Sequence, residues 1–164
     1  MDDEDLVKAV LAYTSRHALE VRELLGSGIH GIVYVVESKT DPGRRALKLH
    51  RDSDAYLREK MVYERLSEKR IDSILGFQVP VPLRFDHESM GIEMTIVMPP
   101  FVLDFASASL DAPIEFSEEI WADWETAKLE QFGSQWGTVK AILSELVKHG
   151  VHMLDPSPSN IRFH

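Results

Sequence analysis

Residues 26–50 read GSGIHGIVYVVESKTDPGRRALKLH, and the expected fold class follows from this stretch. Glycines and the turn residues at 41–43 separate short runs that are rich in β-branched and apolar side chains. With the preceding run from Val21, the pattern predicts three antiparallel strands joined by tight turns. Two further strands are predicted near residues 79–86 and 91–98, which gives a five-stranded sheet.

Four segments carry the three-and-four apolar spacing of amphipathic helices. Acidic residues open the first segment, where they favour the positive end of the helix dipole. A connector and an acidic, irregular stretch separate the predicted sheet from the last two helices. The predicted helices span residues 2–18, 53–70, 117–132 and 134–150, with Ser53 or Asp54 capping the second and Ser134 capping the last.

The composition limits what the chain can be. With 164 residues, 44% of them hydrophobic, it can form one core or two small lobes that share an interface. The net charge of −9 argues against a nucleic-acid partner, because binding a phosphate backbone needs clustered cations. No apolar run is long enough to span a membrane, and the acidic start MDDEDLVKAV does not resemble a secretory signal, so we expect a cytoplasmic protein. The chain has no cysteine, which excludes disulfides and thiol chemistry.

The glycine motif between the first two predicted strands is the first feature that indicates chemistry. Its pattern is GxGxxGxV, formed by Gly26, Ser27, Gly28, Gly31 and Val33. A glycine-rich hairpin lets backbone amides approach phosphate groups, because no side chain blocks the contact. A plain glycine-rich β-turn is the alternative. A dinucleotide-binding fold is excluded, because it needs a helix directly after the glycines and this sequence continues as a strand.

A lysine in the third predicted strand is the second such feature. Lys48 lies within an apolar run, where an unpaired ammonium would be costly to bury. It therefore needs an acidic partner, and the next predicted helix carries Glu59 and Glu64. The alternative is that Lys48 reaches solvent from a sheet edge and that Glu59 merely solvates its helix.

In order and approximate spacing, the glycine motif, the strand lysine and the helix glutamate resemble the small lobe of eukaryotic-type protein kinases. The resemblance implies that Glu59 pairs with Lys48 and holds it extended toward the phosphates of ATP. It also implies an α+β, protein kinase-like fold. Residues 1–98 would form the N-lobe, with its five-stranded antiparallel sheet and αC helix, and residues 99–164 the hinge and a reduced helical C-lobe.

The stretch TIVMPPF at residues 95–101 resembles the strand and hinge that bracket adenine in this family. Two consecutive prolines, Pro99 and Pro100, remove backbone amide donors from that hinge. The residues that the resemblance assigns to nucleotide binding are Gly26, Ser27, Gly28, Gly31, Val33, Ala46, Lys48, Met98 and Phe101.

The stretch GVHMLDPSPSNI at residues 150–161 resembles the kinase catalytic loop, with matches at Asp155, Pro158 and Asn160. The resemblance implies that Asp155 accepts the proton of the substrate hydroxyl. It implies that Asn160 ligates a Mg²⁺ ion that bridges the phosphates. The alternative is a capped proline turn, since Asp, Ser, Pro and Asn all favour turns.

The sequence departs from the family pattern at several positions. Met153 and Leu154 stand where the family has histidine and arginine, and Ser157 stands where protein-serine kinases carry a lysine. The chain ends at His164 without the DFG motif, whose aspartate would be the principal Mg²⁺ ligand. We therefore expect phosphoryl transfer to be slowed by about a thousandfold or more.

Two functions follow from this sequence. The first is a minimal or degenerate serine/threonine-type kinase that binds ATP and has weak or absent phosphoryl transfer. The second is a non-enzymatic pseudokinase module that binds a protein partner or a second copy of itself. A third possibility is that another chain supplies the missing metal ligand, which would restore the first function. The tryptophans Trp121, Trp124 and Trp136 would then pack a core, cover the first lobe or form a dimer surface.

Overall fold

The computed structural model describes residues 1–40, 43–98, 100–113, 115, 117–153 and 155–164. The predicted turn residues Asp41 and Pro42, the hinge residue Pro99 and the loop residue Leu154 lie outside the described residues. The helices and strands follow the order α1 (Asp3–Arg16), β1 (Leu19–Ser27), β2 (Gly31–Ser38), β3 (Arg44–His50), α2 (Ser53–Glu68), β4 (Ser73–Ile74), β5 (Phe77–Gln78), β6 (Pro82–Asp86), β7 (Gly91–Thr95), β8 (Val102–Leu103), β9 (Ala108–Leu110), α3 (Glu118–Phe132), α4 (Trp136–Lys148), β10 (Val151–Met153) and β11 (Ile161–Arg162).

The largest sheet has five antiparallel strands in the order β1-β2-β3-β7-β6. The α+β class and the five-stranded sheet predicted from the sequence are confirmed. The last two strands are shorter than predicted, since β6 begins at Pro82 and β7 ends at Thr95. Val79 donates its N–H to Asp72 O at 2.9 Å instead of joining the sheet, and Pro80 has no N–H to extend the ladder.

Alternation along β3 separates two hydrophobic clusters on opposite faces of the sheet. Leu47 and Leu49 are buried in a cluster with the apolar side of α1, so this helix covers one face. Ala46 belongs to the larger cluster on the other face, which contains α2 and the helical half of the chain. Lys48 shares the Ala46 face, and this register directs its ammonium toward α2.

The helix starts differ from the sequence prediction in two places. Asp52, and not Ser53 or Asp54, caps α2, because its carboxylate accepts the N–H of Ala55 at 2.8 Å. Ser134 does not cap α4, because residues 133–135 form a 3₁₀ turn and the N–H of Trp136 bonds to a carbonyl within it. The predicted start of α3 is correct, with Ser117 as its cap.

Short strands occur where the sequence indicated only a connector and a loop. In the segment after the sheet, β8 pairs antiparallel with β11 and parallel with β5, and β9 pairs antiparallel with β10. The strands β10 and β11 flank the loop that contains Asp155 and Asn160. The residues between β8 and β9 are therefore held directly beside that loop.

Among the described residues, no helix combines the length and the apolar character that crossing a membrane requires.

Candidate functional site

A cleft lies between the β1–β2 hairpin and the loop that joins β10 to β11. It consists of two adjoining cavities of about 190 and 310 Å³, and the larger of these reaches the size at which ligand pockets begin. Both cavities are lined by Gly26, Val33, Lys48, Asp104, Asn160 and Arg162. The inner cavity also contacts Ala46, Met94 and Met98, and the outer one contacts Ser27, Gly28, Gly31 and Asp155.

The hairpin that covers the outer cavity is closed by two backbone hydrogen bonds. The N–H of Gly28 donates to Gly31 O at 2.9 Å, and the N–H of Gly31 donates to Gly28 O at 3.3 Å. Gly31 is required by packing, because a Cβ there would lie 2.0 Å from Leu49 O. A Cβ at Gly26 or Gly28 would meet no atom within 4 Å, so the fold itself does not require glycine at those two positions.

The predicted ion pair between Lys48 and Glu59 is present, with 2.7 Å between Nζ and Oε1. Lys48 is 5% exposed and Glu59 is 0% exposed, so neither side chain solvates the surface. A second carboxylate, from Asp104, accepts from the same Nζ at 2.9 Å. Burial would lower the pKa of Lys48, but the charges of Asp104 and Glu59 outweigh it and raise this pKa well above its ordinary value.

A buried histidine extends this network away from the cleft. The Nδ1 of His50 lies 3.0 Å from Met90 O, and its Nε2 lies 2.8 Å from Glu59 Oε2. A carbonyl oxygen can only accept, so Nδ1 donates to Met90 O, and Nε2 is left to pair with Glu59 Oε2. The two oxygens of Glu59 therefore have separate partners, which fixes the orientation of its carboxylate behind Lys48.

Asp104 is the most important site residue that the sequence analysis missed. It follows directly after β8, and its Oδ1 accepts from Lys48 Nζ and from the N–H of Ala106 at 2.9 Å. Its side chain is 34% exposed and faces both cavities. Burial would raise the pKa of Asp104, but the charge and hydrogen bond of Lys48 and the Ala106 N–H lower it, so this carboxylate is ionised at neutral pH.

Asp155 lies at the outer end of the cleft and has a partner that the sequence analysis also missed. Its Oδ1 accepts from Lys128 Nζ at 2.6 Å, and Lys128, on α3, is almost fully buried. Asp155 itself remains 74% exposed at the side chain. The resemblance expects a lysine in the loop itself, where this sequence has Ser157. In this structure the lysine beside Asp155 is Lys128, which comes from helix α3.

Asn160 holds the loop together. Its Oδ1 accepts from the N–H of Ser157 at 2.7 Å, and its Nδ2 donates to Asp155 O at 3.1 Å. An amide oxygen has two lone pairs, so Oδ1 retains acceptor capacity for a ligand. The contacts explain the buried position of Asn160 at one wall of the cleft.

The two candidate adenine contacts from the predicted hinge differ in position. Met98 lines the inner cavity, together with Val33 and Ala46, and is 63% exposed. The ring of Phe101 packs against Phe77, with centroids 5.2 Å apart, and is not among the residues that line either cavity.

No protein-family model and no curated protein matches the chain. Within the described ranges, no group of three or more His, Cys, Asp or Glu side chains could hold a metal ion on its own. The cleft nevertheless combines backbone amides, an ammonium and a carboxylate, which are the groups that bind a phosphorylated ligand together with a cation.

Proposed function

We propose that this chain is a kinase-like protein that binds ATP in the cleft and has weak or absent phosphoryl transfer. The observation that carries the proposal is Lys48, whose ammonium is fixed by Glu59 and Asp104 and borders both cavities. An ammonium held in this way can bind phosphate oxygens. An ion pair with a purely structural role would not need to place the ammonium beside an open cavity. Most side chains that line the inner cavity are apolar, and such a lining suits a purine ring.

The glycine hairpin supports the same proposal. Gly26 and Gly28 have free space where a side chain would be, so the fold leaves their glycine identity unexplained. Close approach of triphosphate oxygens to the backbone amides would explain it. In this proposal Val33, Ala46 and Met98 contact adenine, and the hairpin covers the phosphates.

The state of Asp155 supports slow transfer. The proposed role of this carboxylate is to take a proton from a substrate hydroxyl, yet its Oδ1 already accepts from Lys128 at 2.6 Å. A substrate hydroxyl would have to use the second oxygen or displace the lysine. A Mg²⁺ ion would be held by Asn160 and would neutralise developing phosphate charge.

Isothermal titration calorimetry with ATP and Mg²⁺ tests the proposal. The wild-type chain should bind with measurable heat, and Lys48→Met should bind much more weakly although circular dichroism shows it folded. Lys140→Met is the matched control, because Lys140 is an exposed lysine that pairs with Glu125 and lines neither cavity. A folded wild-type chain that gives no heat at millimolar ATP would reject ATP binding.

A second candidate is a non-enzymatic module that binds a protein partner or a second copy of itself. The observation that favours it is the surface of α3 and α4, where Ile120, Trp121, Leu129 and Val147 are exposed apolar side chains. Trp136, by contrast, is buried in the large core. Sedimentation velocity over a range of concentrations tests self-association, and a monomer at every concentration would remove the homodimer.

A further inference from the structure

We propose that Asp104, together with Asn160, binds the divalent cation that accompanies the nucleotide phosphates. This inference rests on the proposed ATP binding and assigns its metal ligand. It also removes the need for a carboxylate after Asn160 or from another chain, because Asp104 reaches the site from an earlier point in the same chain.

Strand pairing brings the two residues together. In the β8–β11 pair, Leu103 is opposite Ile161, so Asp104 and Asn160 are the next residues at the same end of the ladder. The N–H of Asp104 donates to Asn160 O at 2.8 Å, which fixes their backbones against each other. The pairing of β9 with β10 holds the other side of the segment, so Asp104 is fixed from both directions.

The two oxygens of Asp104 have different surroundings. Both hydrogen bonds, from Lys48 Nζ and from the N–H of Ala106, go to Oδ1. Among the described residues, Oδ2 has no hydrogen-bond partner. The side chain of Asp104 is one-third exposed and borders the cleft. A carboxylate oxygen that is oriented by its neighbour and left open toward solvent is a suitable cation ligand.

The number of ligands suits Mg²⁺ that arrives with a nucleotide. Such an ion is bound by one or two protein oxygens and completes its octahedron with phosphate oxygens and water. Asp104 Oδ2 and the remaining lone pair of Asn160 Oδ1 supply two oxygens. A dedicated site with three or more acidic or histidine ligands is not needed, and none occurs among the described residues.

The local charges agree with a cation at this position only when phosphate is present. Lys48 is already balanced by Glu59, and Arg162 also borders the cavities, so a free cation would meet two basic side chains. Triphosphate adds the negative charge that makes a cation favourable between Asp104 and the ligand. We therefore expect weak binding of the metal alone and strong coupling between metal and nucleotide.

The test compares ATP affinity with Mg²⁺ and with EDTA for the full chain and for two matched variants. In the wild type, Mg²⁺ should strengthen ATP binding by about tenfold or more. Asp104→Asn should lose this gain, whereas its affinity for ATP in EDTA should be equal or higher, because Lys48 is released for phosphate. Asp111→Asn is the control, since Asp111 is an exposed aspartate of the same segment that pairs with Arg65.

The outcomes separate the two proposals. Absence of ATP binding by the wild type in both buffers would reject the proposed function and this inference with it. ATP binding without a Mg²⁺ gain in the wild type, or with the full gain kept in Asp104→Asn, would overturn this inference and leave ATP binding standing. Equal weakening of both affinities in Asp104→Asn would show a purely structural role and would also overturn it.

A second measurement avoids the risk that Asp104→Asn fails to fold. Mn²⁺ can replace Mg²⁺ in the wild-type complex with a non-hydrolysable ATP analogue, and its paramagnetism broadens nearby amide resonances. The amides of Ala106 and Ile161 should broaden most, relative to a sample with Mg²⁺ in place of Mn²⁺. Broadening centred elsewhere, such as on the Asp2 to Asp5 cluster, would overturn the assignment.

Discussion

At the scale of single residues, a network of four ionisable side chains stands behind the cleft, three of them buried and the fourth, Asp104, partly exposed. Lys48 contacts Glu59 and Asp104, and Glu59 also contacts His50. Burying such groups is favourable only when each has its partner, and removal of one partner leaves an uncompensated charge. The same contacts therefore stabilise the folded protein and hold the Lys48 ammonium in the cleft.

Substitution Glu59→Gln tests this network. The variant keeps the shape of the side chain but removes the buried charge that faces Lys48, so we expect the free energy of unfolding to fall by about 3 kcal/mol. Urea denaturation measures this free energy of unfolding. Glu64→Gln on the same helix is the control, and since Glu64 is exposed and forms a partly exposed pair with Lys60, its cost should stay below about 1 kcal/mol. Equal effects of the two substitutions would contradict the network.

The sequence was sufficient to predict Lys48 and Glu59 but not Asp104 and Lys128. An ammonium inside an apolar strand needs a carboxylate, the next helix offered Glu59 and Glu64, and the resemblance to the kinase small lobe indicated Glu59. Asp104 contacts Lys48 through tertiary structure alone, and the short apolar run before it was the only available hint. Lys128 is the single basic residue of α3, which also carries five acidic ones, and nothing in its neighbourhood indicates Asp155 as its partner.

At the scale of elements, the β1–β2 hairpin joins the sheet to the cleft. Its glycines have separable roles, because Gly31 leaves no room for a side chain and Gly28 leaves ample room. The close contact at Gly31 is with the backbone of β3, which cannot move without disturbing the sheet. Gly28 also lines the outer cavity, where we propose that phosphate lies.

Alanine substitutions at these two glycines should affect different properties, stability at Gly31 and ATP affinity at Gly28. Gly31→Ala should destabilise the fold, because its Cβ would lie 2.0 Å from Leu49 O. Gly28→Ala should unfold at nearly the wild-type temperature but bind ATP about tenfold more weakly, a loss of ~1.4 kcal/mol. Thermal unfolding and calorimetry measure the two effects. If Gly28→Ala bound ATP with the wild-type affinity, the proposal that the hairpin amides bind phosphate would be contradicted.

Elements with a long periodic pattern were predictable, and very short ones were not. The helices α1, α2 and α3 and the first three strands lie close to their expected positions, because each repeats its apolar spacing several times. The strands β8 and β11 have two residues each, which is too few for any period. Their pairing nevertheless determines where Asp104 lies, so a decisive part of the site came only from the structure.

At the scale of the whole molecule, paired carboxylates make stability dependent on acid. Burial would raise the pKa of Asp104, but Lys48 and the Ala106 N–H outweigh it and lower this pKa. Burial acts likewise on Asp86, where hydrogen bonds from Ser89 and His17 and the charge of Arg16 lower the pKa. Each carboxylate therefore stabilises the folded state while it is ionised.

Stability should consequently fall as the pH is lowered through the acidic range. An unfolded aspartate binds its proton near pH 3.9 and the folded one only at lower pH, so the unfolded state gains protons first below about pH 5. Urea denaturation at a series of pH values from neutral to about pH 3 measures the slope. Asp104→Asn should have a shallower slope than the wild type. Stability that stays constant or rises toward acid would contradict the assigned pKa directions.

The most direct measurement is a crystal structure of the chain with a non-hydrolysable ATP analogue and Mg²⁺. We predict adenine in the inner cavity beside Val33, Ala46 and Met98, triphosphate beneath the glycine hairpin within reach of Lys48, and the metal at Asp104. An analogue bound elsewhere, with the Lys48 ammonium distant from every phosphate oxygen, would contradict it.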